Sequence, residues 1–241
     1  MQTGAHTEPP PPPPSANIHY EAAAVTAVTQ TISTDGIEGH STFRLALELQ
    51  GDALDVYSIY GIAGHPMTIP PAFHTAPPFG VDVGGVSPLI YALLRADAPG
   101  AAAGEFDSWL TVGLTEGSGP ELTSIGILWP SWTDSTGLEV TDGSVFWLDP
   151  NDGPSRDDRD GPKGSASSGG AIVVAQLTVP NDQPFSATLN AQGHRMADKG
   201  ALTSWNEMDI EFKFGRMTAA IGPCTIQAST AATSGQYYEP L

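Results

Sequence analysis

The segment Thr42–Leu49 most constrains what this chain can become. Phe43, Leu45, Leu47 and Leu49 alternate with Thr42, Arg44, Ala46 and Glu48. That period of two belongs to a strand with one face buried and one wet. Comparable stretches recur at Ala24–Ser33, Leu54–Tyr60, Phe106–Thr115, Leu122–Trp129, Ser144–Leu148, Ala171–Val179, Phe185–Gln192, Trp205–Phe214 and Thr225–Ser229. Gly, Pro, Asn and Asp clusters separate them, and no long helical pattern appears between. Roughly nine or ten short strands so punctuated predict an all-β fold, an antiparallel sandwich or jelly roll with long Pro/Gly-rich loops and little helix.

The organisation along the chain follows. Residues 1–17 hold six consecutive prolines, Pro9 to Pro14, and read as an extended or disordered tail. A single domain is expected over 18–230, with a C-terminal tail over 231–241. Gln50-Gly51-Asp52 reads as the hairpin turn joining Thr42–Leu49 to Leu54–Tyr60. Residues 61–88 are broken by Pro66, Pro70, Pro71, Pro77, Pro78 and Pro88 and read as one long ordered loop. Ser87–Ala96 fits a short helix.

Charge removes some classes of function. Against 9 Lys and Arg stand 27 Asp and Glu, a net charge of −18. Such a polyanion repels phosphate backbones and anionic membrane surfaces, so neither nucleic acid nor a lipid surface is an expected partner. No apolar run is long enough to span a bilayer. The single cysteine, Cys224, forms no internal disulfide, and no Asn-x-Ser/Thr sequon occurs. The first residues lack the basic and apolar regions of a signal peptide. The compartment stays open between an extracellular or cell-surface layer and an intracellular or plastid shell.

Three places concentrate chemistry. Asp149-Pro-Asn151-Asp152-Gly153 continues through Asp157, Asp158 and Asp160 to Gly161. Calcium takes six to eight oxygens from Gly-bent loops. Asp149, Asn151, Asp152 and Asp157 are therefore candidate ligands, with a solvated loop as the alternative. No cofactor is required, and calcium is the one candidate. Trp129 and Trp132 flank Pro130-Ser131, which no strand passes easily. Both rings are expected to fill the core of the sandwich. The alternative is that one of them is partly exposed and stacks on a sugar ring, as exposed aromatics do on many β-sandwich modules. The six histidines are scattered, and His65 and His74 are the pair closest to sharing a site.

The third place is Trp205-Asn-Glu207-Met-Asp209-Ile-Glu211-Phe-Lys-Phe214. Strand alternation puts Glu207, Asp209 and Glu211 on one face and Met208, Ile210, Phe212 and Phe214 on the other. Glu207-Met-Asp209-Ile-Glu211-Phe212 resembles the active-site strand of the laminarinase–lichenase–xyloglucanase family of retaining glycoside hydrolases. That resemblance implies a jelly roll with Glu207 as nucleophile, Glu211 as general acid/base and Asp209 between them. An amphipathic strand with an acidic solvent face is the alternative.

A broader pattern runs from Val56-Tyr-Ser-Ile-Tyr-Gly61 through Met67–Phe73, Pro78-Phe-Gly80 and Phe106–Gly113 to Val145–Pro150. It resembles a β-rich module of surface or matrix proteins of marine algae and related protists, and implies a structural or interaction role. Three functions follow. The first is a non-enzymatic assembly module of a cell-surface layer, fibre or shell, partnered by itself or other matrix proteins, with Val25–Ile32 adding to a neighbour's sheet edge. The second is a glycan-binding module. The third is a retaining endo-β-glucanase.

Overall fold

The computed structural model describes residues 23–77, 79–87, 103–117, 121–155, 171–196 and 200–215. These form eleven strands: β1 (Val25–Thr34), β2 (His40–Leu49), β3 (Ser58–Gly61), β4 (Met67–Ile69), β5 (Trp109–Leu110), β6 (Leu122–Ile125), β7 (Leu138–Val140), β8 (Gly143–Trp147), β9 (Ala171–Pro180), β10 (Pro184–Met196) and β11 (Leu202–Gly215). Only single 3-10 turns interrupt them, at Ala103–Phe106, Trp129–Ser131 and Pro150–Asp152. The tails over 1–17 and 231–241, the strand expected at Thr225–Ser229, Cys224 and nearly all of the helix expected at Ser87–Ala96 lie outside the described residues.

The strands pair antiparallel in two sheets. The smaller runs β1-β2-β9-β5, and the larger runs β6-β8-β3-β10-β4-β7 with β11 on β10. One core fills the space between them. Leu45, Leu47 and Leu177 from the smaller sheet meet Ile59, Val145, Leu189 and Phe212 from the larger. The alternation of β2 supplies this face directly. The fold is an antiparallel β-sandwich, as the pattern predicts. Among the described residues no helix is long and apolar enough to cross a membrane.

Three local expectations are corrected. Gln50-Gly51-Asp52 does turn, with Gly51 at φ +53° and Ala53 N–H donating to Gln50 O. Yet it is no hairpin: β2 pairs with β1 and β9, and the chain crosses to the other sheet. Asp55 carries the crossing. Its Oδ1 accepts the His194 backbone N–H at 2.7 Å and its Oδ2 lies 2.9 Å from His194 Nδ1. Gly193 lies under this crossing, where a Cβ would come within 1.9 Å of Asp55 O.

The loop expected over 61–88 contains β4. Pro66 and Pro70 stand just outside it, so Met67, Thr68 and Ile69 keep their ladder groups and pair with Thr188 of β10 and with β7. Phe106–Thr115 contributes only Trp109 and Leu110 to a ladder, because Phe106 closes a 3-10 turn. The rest of the loop has a purpose in packing. Val81 packs with Trp109, Ala46 and Val173 on the outer face of the smaller sheet. β9 is thereby covered on both sides and buried along nearly its whole length.

Candidate functional site

Where residues 74–77 and 79–82 return past the 3-10 turn Trp129–Ser131 they leave a cavity of about 460 Å³. His74, Thr75, Asp82, Asp107, Trp129 and Trp132 line it. Asp107 organises its wall. That carboxylate is 1% exposed, with Oδ1 accepting from Thr75 N–H at 2.7 Å and Oδ2 from Val81 N–H at 2.6 Å. One side chain thus holds both ends of the loop. Burial pushes the Asp107 carboxyl up to about 7, against the pull of the Thr75, Val81 and Ser108 amides.

The two indoles divide their work. Trp132 is buried and donates Nε1–H to Pro70 O at 2.9 Å. Trp129 is half-buried and donates Nε1–H to Ser124 Oγ at 3.2 Å. With both N–H groups tied back into the protein, each ring offers the cavity its carbon surface. The ring centroids are 6.4 Å apart, and His74 packs edge-on to Trp132 at 4.4 Å. One ring fills the core and the other is partly exposed.

The setting of His74 favours its neutral form. Burial lowers its imidazole below the ordinary histidine value, opposed by the charge of Asp134. His74 Nδ1 lies 4.0 Å from Asp107 Oδ1. Among the described residues, His74 Nε2 and Thr75 Oγ1 are buried and make no hydrogen bond. A buried polar atom left unpaired costs roughly 1–3 kcal/mol, and both residues line the same cavity. Asp107 spends both oxygens on backbone amides. Its hydrogen bonds position the loop.

The acidic strand β11 does not keep the expected alternation. Between the pairs Leu189↔Ile210 and Ala191↔Glu207 it carries one extra residue, and Asp209 takes the left-handed φ of +54°. Such a bulge reverses which side chains face inward. Trp205 and Glu207 point toward the other sheet before it, and Ile210, Phe212 and Phe214 after it. Glu207 is half-buried and accepts the Ala24 N–H at 3.1 Å, while Met208 is 37% exposed. Glu211 faces outward with Lys213, whose Nζ lies 2.9 Å away. The face predicted for Glu207, Asp209 and Glu211 is therefore split, and Met208 leaves the apolar set. A retaining mechanism calls for two carboxyls about 5 Å apart beside one glycosidic bond, whereas Glu207 and Glu211 stand on opposite faces of the sheet.

The bulge has its own polar cluster. Asn190 opposes it, fully buried, with Nδ2 donating to Tyr60 O and His65 O and Oδ1 accepting from Asp209 N–H at 2.9 Å. Asp209 Oδ2 lies 2.7 Å from His65 Nδ1. Tyr60 donates its hydroxyl to Asn206. His65 and His74, expected as a pair, instead meet separate aspartates, and His194 meets a third. Residues so far apart in sequence give no spacing signal to read.

In the Asp149–Asp152 segment, Asp149 caps the 3-10 turn. Its Oδ1 accepts both the backbone N–H and the side-chain N–H of Asn151 at 2.9 Å, and these bonds hold its carboxyl below the usual range. Asp157 lies outside the described residues. Among the described residues no three His, Cys, Asp or Glu side chains gather as a metal would need. Compared with known proteins, the chain matches no protein-family model, no curated protein and no solved structure.

Proposed function

We propose that the protein is a non-catalytic carbohydrate-binding β-sandwich whose ligand enters the cavity between residues 74–77, 79–82 and Trp129. The observation that carries this reading is the pairing of an indole face with two unsatisfied polar atoms. The carbon surface of Trp129 suits the apolar face of a sugar ring. His74 Nε2 and Thr75 Oγ1 lie buried beside it, and a hydroxyl both donates and accepts. Asp82 at the rim adds a carboxylate acceptor, and the net charge of −18 favours neutral over acidic glycans.

The test is a glycan array followed by calorimetry on the best neutral ligand. Trp129→Ala is expected to weaken binding by about tenfold or more, the loss of one stacking contact and its area. Thr75→Val, which keeps shape and removes the hydroxyl, is expected to weaken it by about three- to tenfold. An array without neutral-glycan binding, or binding indifferent to Trp129→Ala, would overturn the reading.

A further inference from the structure

We propose that β1 is a self-association edge, through which two copies of this chain pair antiparallel and join their smaller sheets into one. The reasoning starts from how each sheet edge is protected. A bare edge strand is a template for another chain, and natural edges are shortened, charged, bulged or covered. β5 is two residues long and covered: Val83 bridges Leu110, and Leu110 N–H donates to Asp82 O. β6 and β7 have four and three residues. β11 is long but carries Glu207, Asp209, Glu211 and Lys213 as well as a bulge.

β1 is different. Its ten residues, VTAVTQTIST, contain no charge, proline or glycine in a chain of net charge −18. Val28 and Ile32 are 36% and 40% exposed. Its one concession is an irregularity at Ile32, between the pairs of Thr31 and Ser33. β2 is its only ladder partner among the described residues. On its other side, Glu207 of β11 closes the start of the strand by taking the Ala24 N–H. Toward Thr34 the two sheets part. A cavity of about 390 Å³ opens there between Thr31 and Thr34 of β1 and Gly215 at the end of β11, floored by Phe43. Among the described residues, Val28–Thr34 is thus the open half of the edge.

The sequence of β1 selects its occupant. The incoming strand must bring β-branched side chains and no further carboxylate to a chain of net charge −18, and β1 is such a strand. Antiparallel pairing of a strand with itself is isologous, each residue contacting its counterpart's neighbour in return, so it closes as a dimer. Thr, Val and Ile opposite one another are favourable cross-strand pairs, and no like charges meet.

Sedimentation equilibrium of the full chain, from micromolar to millimolar, tests this. The chain is expected to dimerise. Val28→Glu and Thr31→Glu, each placing two like charges in the symmetric seam, are expected to weaken dimerisation about tenfold. Both positions are exposed, so unchanged thermal melting of the dilute monomer verifies the fold. Trp129→Ala is expected to dimerise like the parent, which separates this edge from the sugar cavity. A chain that stays monomeric throughout, or a dimer that both glutamate variants leave intact, overturns the proposal.

Discussion

At the residue scale, Asp107 shows how one side chain can be both anchor and liability. Folded, its carboxyl sits near 7 instead of 3.8, so between those values the folded chain binds more protons than the unfolded one. Stability must then fall as pH rises across that interval. His74 acts in the opposite sense. Burial lowers it from 6.5, so the folded chain binds fewer protons just below that value and gains stability as pH rises toward it. Asp107→Asn presents an amide N–H to one of two backbone N–H groups, and is expected to cost about 1–3 kcal/mol. It should also abolish the decline of stability between about pH 4 and pH 6, read by urea denaturation. A variant with the parent's pH slope would show that Asp107 is ionised throughout. None of this was legible in the sequence, where Asp107 is one carboxylate between Phe106 and Ser108. The pairing of Trp129 with Trp132 was legible, because Pro130 between them forbids a continuous strand.

At the scale of elements, alternation read the long strands well. β1, β2, β10 and β11 lie where apolar and polar residues take turns, and β9 where an apolar run stands between turn signals, within a few residues at their ends. β4 and β7 escaped because three residues are too few to display a period, and prolines bracket β4. The bulge in β11 escaped for a different reason. Glu207-Met-Asp209-Ile-Glu211 alternates without a break, and only the partner strand reveals the extra residue. Asn190 on that strand is the decisive group. Asn190→Ala would leave Tyr60 O, His65 O and Asp209 N–H without their present partner, at an expected cost of about 2–4 kcal/mol in unfolding free energy. Asp209→Gly relieves a left-handed residue and should be neutral or stabilising by up to about 1 kcal/mol. If instead Asn190→Ala is harmless and Asp209→Gly costly, the bulge is held by the Asp209–His65 pair and not by Asn190.

For the whole molecule, charge is the dominant fact. With 27 acidic against 9 basic side chains, the folded chain repels itself. Added salt should raise thermal stability, about 2–4 °C for each kcal/mol of repulsion screened, measured on the Val28→Glu variant to keep association out of the reading. A melting point that falls with salt would mean that attractive pairs such as Lys213–Glu211 outweigh the net repulsion. The sandwich itself was legible in composition and punctuation. Its division into a small sheet and a large one was not, because the order of strands within sheets depends on contacts more than a hundred residues apart.

One of those contacts governs how the chain comes together during synthesis. β10 lies at the centre of the larger sheet, with β11 along one flank and both β3 and β4 on the other. β3 and β4 are made long before it, and they wait with Ile59, Met67 and Ile69 unburied until residues 184–196 leave the ribosome. The larger sheet therefore has no middle for most of translation. A stalled or truncated product ending before β10 is a chain with its apolar strands bare, and a substrate for chaperones rather than a smaller working domain.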